Sequence, residues 1–278
     1  MSSKRLAMLI DGDNAQASLL NEMLAEAAKY GVVTIRRVYG NFTETQMKSW
    51  MPTLHTYAFT PILEVPNTTG KNATDIALII DAMDILYTAG VDGFCLVSSD
   101  SDYTRLANRI REKNLFVMGI GKQNTPRAFV NACDVFVYTE NLQPEQPPAP
   151  AKPAPADSKA SAAAKKTKTK HTTAKSPAAA STSAAAHHTA SAASPAKADR
   201  LLTDIQLFRK AFELSVQEDG WAHLANYGHN LRQLDPGFDP RTYGHKQLLM
   251  LVKARTDVFE IRDAKKTGET GTHYIRLR

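Results

Sequence analysis

Acidic side chains follow two apolar runs of the N-terminal half, and their types and spacing could support chemistry. Asp11 and Asp13 stand in LIDGDN, Asp100 and Asp102 in VSSDSD, and Asp75 begins a helical stretch between them. Both apolar runs are typical of buried strands in a parallel α/β sheet, whose carboxyl ends share one edge. Carboxylates gathered there repel each other, and Mg²⁺ or Mn²⁺ on oxygen ligands would compensate them. The pattern therefore predicts a metal site suited to phosphodiester hydrolysis.

Each residue of this acid cluster receives a role from its position. The predicted catalytic metal ligands are Asp11, Asp75, Asp100 and Asp102, the supporting residues are Asp13 and Asn14, and the phosphate contacts are Lys71, Ser98 and Ser99. Asp11 and Asp100 are the strongest candidates for direct ligation because they stand on strand ends. Asn14 could orient Asp11 by hydrogen bonding without adding charge. Lys71 could equally be a solvated loop residue.

Two other interpretations of the acids stay open. Asp13, Asp75 or Asp100 could each cap a helix, in which case the protein is a non-catalytic RNA-binding or scaffold protein. A helix cap needs only one side chain, however, whereas each of the two runs supplies two acids. DGD also matches the nucleophile motif of haloacid-dehalogenase-type phosphatases, but Asp75 would then have no role.

Alternating strand and helix patterns predict the α/β fold that positions these acids. The predicted strands are Arg5–Ile10, Val32–Tyr39, His55–Thr60, Gly93–Ser98, Leu115–Ile120 and Asp134–Thr139. The predicted helices are Asn14–Tyr30, Thr43–Trp50, Asn72–Ala89, Asp102–Lys113 and Thr125–Asn131. In the third helix, a stripe of Ile76, Ile79, Ile80, Met83, Leu86 and Tyr87 is predicted to face the core. No glycine-rich phosphate cradle follows any strand, so a dinucleotide or Walker-type site is not supported.

Composition divides the 278 residues into three parts. Residues 143–199 contain no Val, Ile, Leu, Met or aromatic residue, so they are predicted to be a disordered linker between domains at 1–142 and 200–278. The net charge of +6 is concentrated after residue 142, which favours a weak attraction to phosphates or simply a soluble tether. Two cysteines in apolar runs and no signal or membrane segment predict a cytoplasmic protein.

The C-terminal part predicts a small winged-helix domain. Helical patterns cover Leu201–Val216, Ala222–Leu234 and Thr242–Ala254, and two strand patterns follow at Val258–Arg262 and His273–Leu277. Three helices closed by a hairpin are typical of that fold, and the apolar content suffices for a small core.

The N-terminal motifs together resemble the NYN family of PIN-like, Rossmann-type nuclease domains. The resemblance covers about residues 4–141 and is carried by LIDGDN, GKNATDIALIIDAM, CLVSSDSDYTRLANRIREKN and VFVYTENL. It implies a metal-dependent ribonuclease in which Asp11, Asp75 and Asp100 bind metal, with Asp102 as the fourth acid. SSDSD departs from the family pattern, where a glycine commonly precedes the first acid.

The C-terminal part resembles the OST-HTH or LOTUS module. The resemblance is carried by GWAHLANYGHNLRQLDPGFDPRTYGHKQLLMLVKARTDVFEI and THYIRLR. It implies an RNA-binding module or one that engages a helicase-like protein partner. Residues available for RNA phosphates are Arg241, Lys246, Lys253, Arg255, Lys265 and Lys266, and Tyr243 and His245 could stack on bases.

Overall fold

Parallel strands alternate with helices in the N-terminal part of the computed structural model, which describes residues 3–64, 73–142, 195–263 and 273–278. The strands are β1 (Arg5–Asp11), β2 (Val32–Gly40), β3 (Thr60–Leu63), β4 (Gly93–Val97), β5 (Phe116–Gly121) and β6 (Val135–Tyr138). The helices are α1 (Leu20–Ala28), α2 (Trp50–Tyr57), α3 (Ala73–Thr88), α4 (Thr104–Glu112) and α5 (Arg127–Ala132). The strands form one sheet in the order β3-β2-β1-β4-β5-β6. The predicted PIN-like Rossmannoid fold is therefore confirmed.

Strand β1 lies at the centre of this sheet and is covered on both faces. Residues 6–10 are fully buried because alternate side chains point into two separate cores. One core contains Met23 and Trp50 from α1 and α2, and the other contains Leu78 and Leu106 from α3 and α4. β1 pairs with β2 on one side and with β4 on the other, so the strand order reverses between β1 and β4. In open sheets of this kind, ligands bind beyond the carboxyl ends of the strands at that switch point.

Two sequence predictions within this part are wrong in part. Helix α2 occupies the first half of the strand predicted at His55–Thr60, because Trp50 and Leu54 lie four residues apart and both are buried in the core. The chain then turns at Ala58, which has a left-handed φ of 53°, and enters β3. In α3 the buried residues are Leu78, Ala82 and Ile85. Of the predicted stripe, Ile79, Met83 and Leu86 are partly buried against the same core, whereas Ile76, Ile80 and Tyr87 are more than half exposed. That helix is apolar on several sides, so periodicity alone cannot identify its buried face.

Three helices and a three-stranded antiparallel sheet form the C-terminal part, as predicted for a winged helix. The elements are α6 (Pro195–Glu213), β7 (Ala222–His223), α7 (Leu224–Leu234), α8 (Leu248–Ala254), β8 (Phe259–Asp263) and β9 (His273–Leu277), with strand order β7-β9-β8. Phe208, Tyr227, Leu231 and Ile275 pack in a core of their own. The third predicted helix begins later than expected, because the chain reverses at Gly244, where φ is +80°.

The C-terminal part contacts the outer edge of the α/β sheet. The Phe136 backbone N–H of edge strand β6 donates to the Pro236 carbonyl at 2.8 Å. Arg127 forms a bidentate ion pair with Asp235, at 3.1 and 3.0 Å. These contacts satisfy part of an edge that would otherwise be open to pairing with another chain. The linker prediction, residues 143–199, falls almost entirely outside the described residues.

Both cysteines, Cys95 and Cys133, are free and buried, as their apolar surroundings predict. Within the described ranges, no helix has the length and apolar content needed to cross a membrane.

Candidate metal centre at the carboxyl edge of the sheet

Asp11 is the buried centre of the predicted acid cluster. It is the last residue of β1, and only 1% of its surface is exposed. Its Oδ2 atom accepts hydrogen bonds from Asn14 Nδ2 at 2.7 Å and from Ser98 Oγ at 2.8 Å. Ser98 follows the adjacent strand β4, so two sequence segments 87 residues apart meet at the switch point. Asn14 thus makes the hydrogen bond by which it was predicted to orient Asp11, and its supporting role at a metal site stays a prediction.

The surroundings of Asp11 disfavour its negative charge. Burial raises the pKa of the Asp11 carboxyl, and the nearby charges of Asp75 and Asp13 raise it further. The hydrogen bonds from Asn14 and Ser98 act in the opposite direction and lower it. The net direction is upward, so the neutral donors do not fully offset burial and repulsion.

Asp75 lies in the first turn of α3 and is held by an aromatic residue. The Tyr103 hydroxyl donates to Asp75 Oδ1 at 2.6 Å. Tyr103 is itself 1% exposed, and its pKa is raised by burial and by the charges of Asp11, Asp75 and Asp100. Tyr103 therefore lies among the three acids that sequence reasoning singled out. Sequence analysis did not identify it, because an aromatic residue after SDSD is equally typical of a core position.

The second acidic run has a partly structural role. Asp100 Oδ1 accepts the Asp102 backbone N–H at 2.9 Å and so caps the short helical turn that follows β4. The Ser98 hydroxyl also accepts the Asp100 N–H at 3.1 Å. Asp102 is exposed. Of these two acids, Asp100 is the one whose charge acts on Tyr103.

Asp13 belongs to the same neighbourhood from the solvent side. Thr74 donates to Asp13 Oδ2 at 3.1 Å, which joins the loop after β1 to the start of α3. Burial raises the pKa of Asp13, the Thr74 bond lowers it, and the charges of Glu44 and Asp75 raise it. Gly12, which precedes Asp13, passes so close to β2 that a Cβ there would lie 2.8 Å from the Tyr39 carbonyl oxygen, so a larger residue would clash.

Carboxylate oxygens in this neighbourhood match Mg²⁺ or Mn²⁺ by donor chemistry and by charge. Their arrangement is less complete. Among the residues with described side chains, no three Asp, Glu, His or Cys side chains surround a single point closely enough to hold an ion. The acids therefore converge on one region without forming a finished coordination sphere.

Of the residues predicted to contact RNA, some lie outside the described residues and others already form hydrogen bonds within the protein. Lys71, Lys265 and Lys266 lie outside the described residues. Ser98 donates to Asp11, and Ser99 Oγ accepts the Lys122 backbone N–H at 2.8 Å.

In the C-terminal part, several cationic side chains already have acidic partners. Arg241 bonds to Glu26 at 2.6 Å and to Asp239 at 2.7 Å, and Arg255 bonds to Asp257 at 3.0 Å. Lys246 lines a cavity of about 550 Å³ beside Arg241. Lys253 is exposed. Arg241 and Arg255 would have to leave carboxylates to contact phosphate, so their RNA-binding role stays a prediction.

Comparison with known proteins gives two domain matches. The NYN domain matches residues 5–140, and the OST-HTH/LOTUS domain matches residues 197–269. A search of curated proteins found no match. The predicted domain boundaries at 142 and 200 lie close to these ranges and stay predictions.

Two solved structures are similar in part. One is the crystal structure of a protein of unknown function from Vibrio parahaemolyticus, with 21% identity, 49% of this chain and 93% of that chain covered, and a TM-score of 0.42. The other is the solution NMR structure of an uncharacterized protein from Nitrosomonas europaea, with 34% identity, 37% and 91% coverage, and a TM-score of 0.25. Both TM-scores are below 0.5, so the assignment depends on the domain matches alone. The chain therefore carries an NYN domain, of the PIN-like nuclease superfamily, followed by an OST-HTH/LOTUS domain.

Proposed function

We propose that this chain is a divalent-metal-dependent ribonuclease that hydrolyses RNA phosphodiester bonds. Its NYN domain would hold Mg²⁺ or Mn²⁺ through Asp11 and Asp75, with Asp100 and Asp102 as further acids. Its OST-HTH/LOTUS domain would hold the RNA. The domain matches support a nuclease and RNA-binding role in general terms.

The observation that carries the proposal is a contrast between two buried carboxylates. Glu26 is buried beside two cations, Lys29 at 2.8 Å and Arg241 at 2.6 Å. Asp11 is more deeply buried, yet its hydrogen-bond donors are neutral and its charged neighbours are acids. A buried charge is costly without a compensating partner. Such a cost at the ligand-binding edge of the sheet favours a site that takes up a cation in order to work.

The side chains around Asp11 would keep the site ready for that cation. Asn14 and Ser98 fix the orientation of the Asp11 carboxylate and favour its ionised form. Tyr103 fixes Asp75 in the same way from the other side. A bound divalent ion would supply Lewis-acid polarisation of the scissile phosphate and neutralise the acids.

Cleavage assays with matched variants test this proposal. The purified chain is incubated with single-stranded and structured RNAs in Mg²⁺ or Mn²⁺, with and without chelator, and the product ends are mapped. We expect chelator-sensitive cleavage that leaves 5′-phosphate and 3′-hydroxyl ends. Asp11→Asn and Asp75→Asn should abolish it. Asp84→Asn should not, because that acid is exposed and lies farther along α3. Wild-type cleavage by Asp11→Asn would refute the site.

A non-catalytic RNA-binding or scaffold role is the second candidate. Asp100 does make a capping hydrogen bond, and no finished coordination sphere exists among the described residues. In that case Mn²⁺ titrated into the chain would show no saturable binding, whereas RNA binding would persist. A cytoplasmic location and a helicase-like protein partner are also part of the proposal, and fractionation of cells and co-purification would test them.

A further inference from the structure

The outer face of the three-stranded sheet in the OST-HTH/LOTUS domain carries aromatic and arginine side chains together. Ala222 and Ile261 pair with Ile275 across the sheet, and Ala222 and Ile275 are fully buried. Side chains alternate along a strand, so the next residues point away from that core. His223 and Arg262 both pair with Tyr274. They form an outward row beside the core of the domain.

Planar groups on this face are stacked on one another. The guanidinium carbon of Arg262 lies 4.7 Å from the centre of the Trp221 ring and 5.2 Å from that of Tyr274. The guanidinium carbon of Arg276 lies 4.9 Å from the centre of the same Trp221 ring. We call Trp221, Tyr274, Arg262 and Arg276 the stacking platform.

Neighbouring residues hold the stacking platform in place. Asp219 accepts the Trp221 backbone N–H at 3.1 Å through one oxygen and bonds to Arg262 at 3.2 Å through the other. Glu260 bonds to Arg276 at 2.6 Å. The His223 ring packs edge-on against Tyr274, with ring centres 5.5 Å apart. Because the carboxylates of Asp219 and Glu260 hold the two arginines, their guanidinium planes are pre-oriented for a stacked ligand.

The stacking platform is partly open to solvent despite these contacts, and its aromatic members Trp221 and Tyr274 are half-buried. The side chains of Arg262 and Arg276 are 49% and 48% exposed. Their charges are balanced by Asp219 and Glu260, so the surface has little net attraction for phosphates. What it offers is a set of π-faces and guanidinium planes, which are the groups that stack on unpaired bases.

We infer that the stacking platform binds single-stranded RNA by stacking on its bases. This inference rests on the proposed function for its choice of RNA over a protein ligand. It places recognition on the sheet face instead of on Arg241 and Arg255. All four guanidinium groups bond to carboxylates, but Arg262 and Arg276 in addition lie over aromatic rings, as a base-stacking surface requires. Base stacking contributes about 1–3 kcal/mol per base, so loss of one stacked base lowers affinity about five- to 150-fold.

Arginine-to-lysine variants test the inference, because lysine keeps the charge and removes the plane. Binding of a short fluorescent oligouridine to the full chain is measured by anisotropy in chelator, which prevents cleavage. We expect Arg262→Lys and Arg276→Lys to weaken binding at least about fivefold. Their affinity for a base-free ribose-phosphate strand of equal length should not change, nor should the salt dependence of binding. Trp221→Ala should weaken oligouridine binding similarly, with folding checked by circular dichroism.

Arg209→Lys is the matched control outside the platform, since Arg209 is exposed on α6. The inference is overturned if Arg262→Lys and Arg276→Lys both bind oligouridine as wild type does, or if Arg209→Lys causes an equal or larger loss. Binding of RNA duplex as tightly as of single strands would also overturn it. Cleavage is measured separately on the same variants. If the chain cleaves no RNA but its RNA binding still depends on the platform residues, the proposed ribonuclease activity is refuted and this inference stands.

Discussion

Replacing Tyr103 by Phe removes a single oxygen atom from the centre of the acid cluster. The ring would keep its packing, including its contact with Phe129 at 6.3 Å between centres. The lost interaction is the 2.6 Å hydrogen bond to Asp75, and hydrogen bonds to charged groups contribute about 1.5–3 kcal/mol. Asp75 is half-buried, so water can replace part of the bond, and we expect a loss of about 1–2 kcal/mol.

A thermal melt converts that free energy into a measurable shift. A domain spanning residues 5–140 has an unfolding entropy of about 0.3 kcal/mol/K, so Tyr103→Phe should lower Tm by about 3–7 °C. Because Asp75 also loses the group that orients it, the Mn²⁺ affinity should fall about 10- to 100-fold. Tyr87→Phe is the matched control, since Tyr87 is more than half exposed, its hydroxyl bonds to Arg109 and it lies at the opposite end of α3 from Asp75. A Tyr103→Phe chain that melts and binds Mn²⁺ like wild type would refute the assigned role of this hydrogen bond.

Three other perturbations have outcomes that follow from the same contacts. Without metal at neutral pH, Asp11→Asn should have a Tm no lower than that of wild type, because the amide can keep the hydrogen bonds from Asn14 and Ser98 without the disfavoured charge. Calorimetry should also show that Mn²⁺ no longer stabilises this variant. Since the pKa of Asp11 is raised by folding, its ionisation destabilises the wild type as pH rises through that pKa. The stability difference between wild type and Asp11→Asn should therefore shrink as pH falls, in urea titrations at several pH values. Arg241→Ala should lower the free energy of unfolding by about 1–2 kcal/mol, less than the loss of a fully buried pair, because Arg241 is 29% exposed and Lys29 remains beside Glu26. Arg255→Ala should lower it less in the same denaturation assay, because its partner Asp257 is 63% exposed whereas Glu26 is 9% exposed.

Strands β1, β4 and β5 could be predicted because they are nearly continuous apolar runs with both faces buried. Gly93–Val97 is such a run and is buried throughout. The strand predicted at His55–Thr60 failed because a short mixed segment fits both periods, and burial of Trp50 and Leu54 favours the helix. Contacts between the two domains were not predicted, since the residues that make them, such as Arg127 and Asp235, are charged and 108 positions apart.

The acids could be predicted from the sequence more readily than most of the residues that support them. An acid directly after a buried strand is unusual, because a carboxylate that is itself buried there carries a costly charge. Asp11 and Asp100 could be identified for this reason. Asn14 could be predicted to donate to Asp11 because it stands only three residues away. Tyr103 and Ser98 are ordinary at core and strand-end positions, and only the fold shows that they donate to Asp75 and Asp11. Sequence thus identifies the charged groups and their local partners, whereas packing identifies the distant neutral donors that set their orientation and pKa. If the acids were only helix caps, there would be no reason for Ser98 and Tyr103, which are 87 and 28 positions away, to donate hydrogen bonds to Asp11 and Asp75.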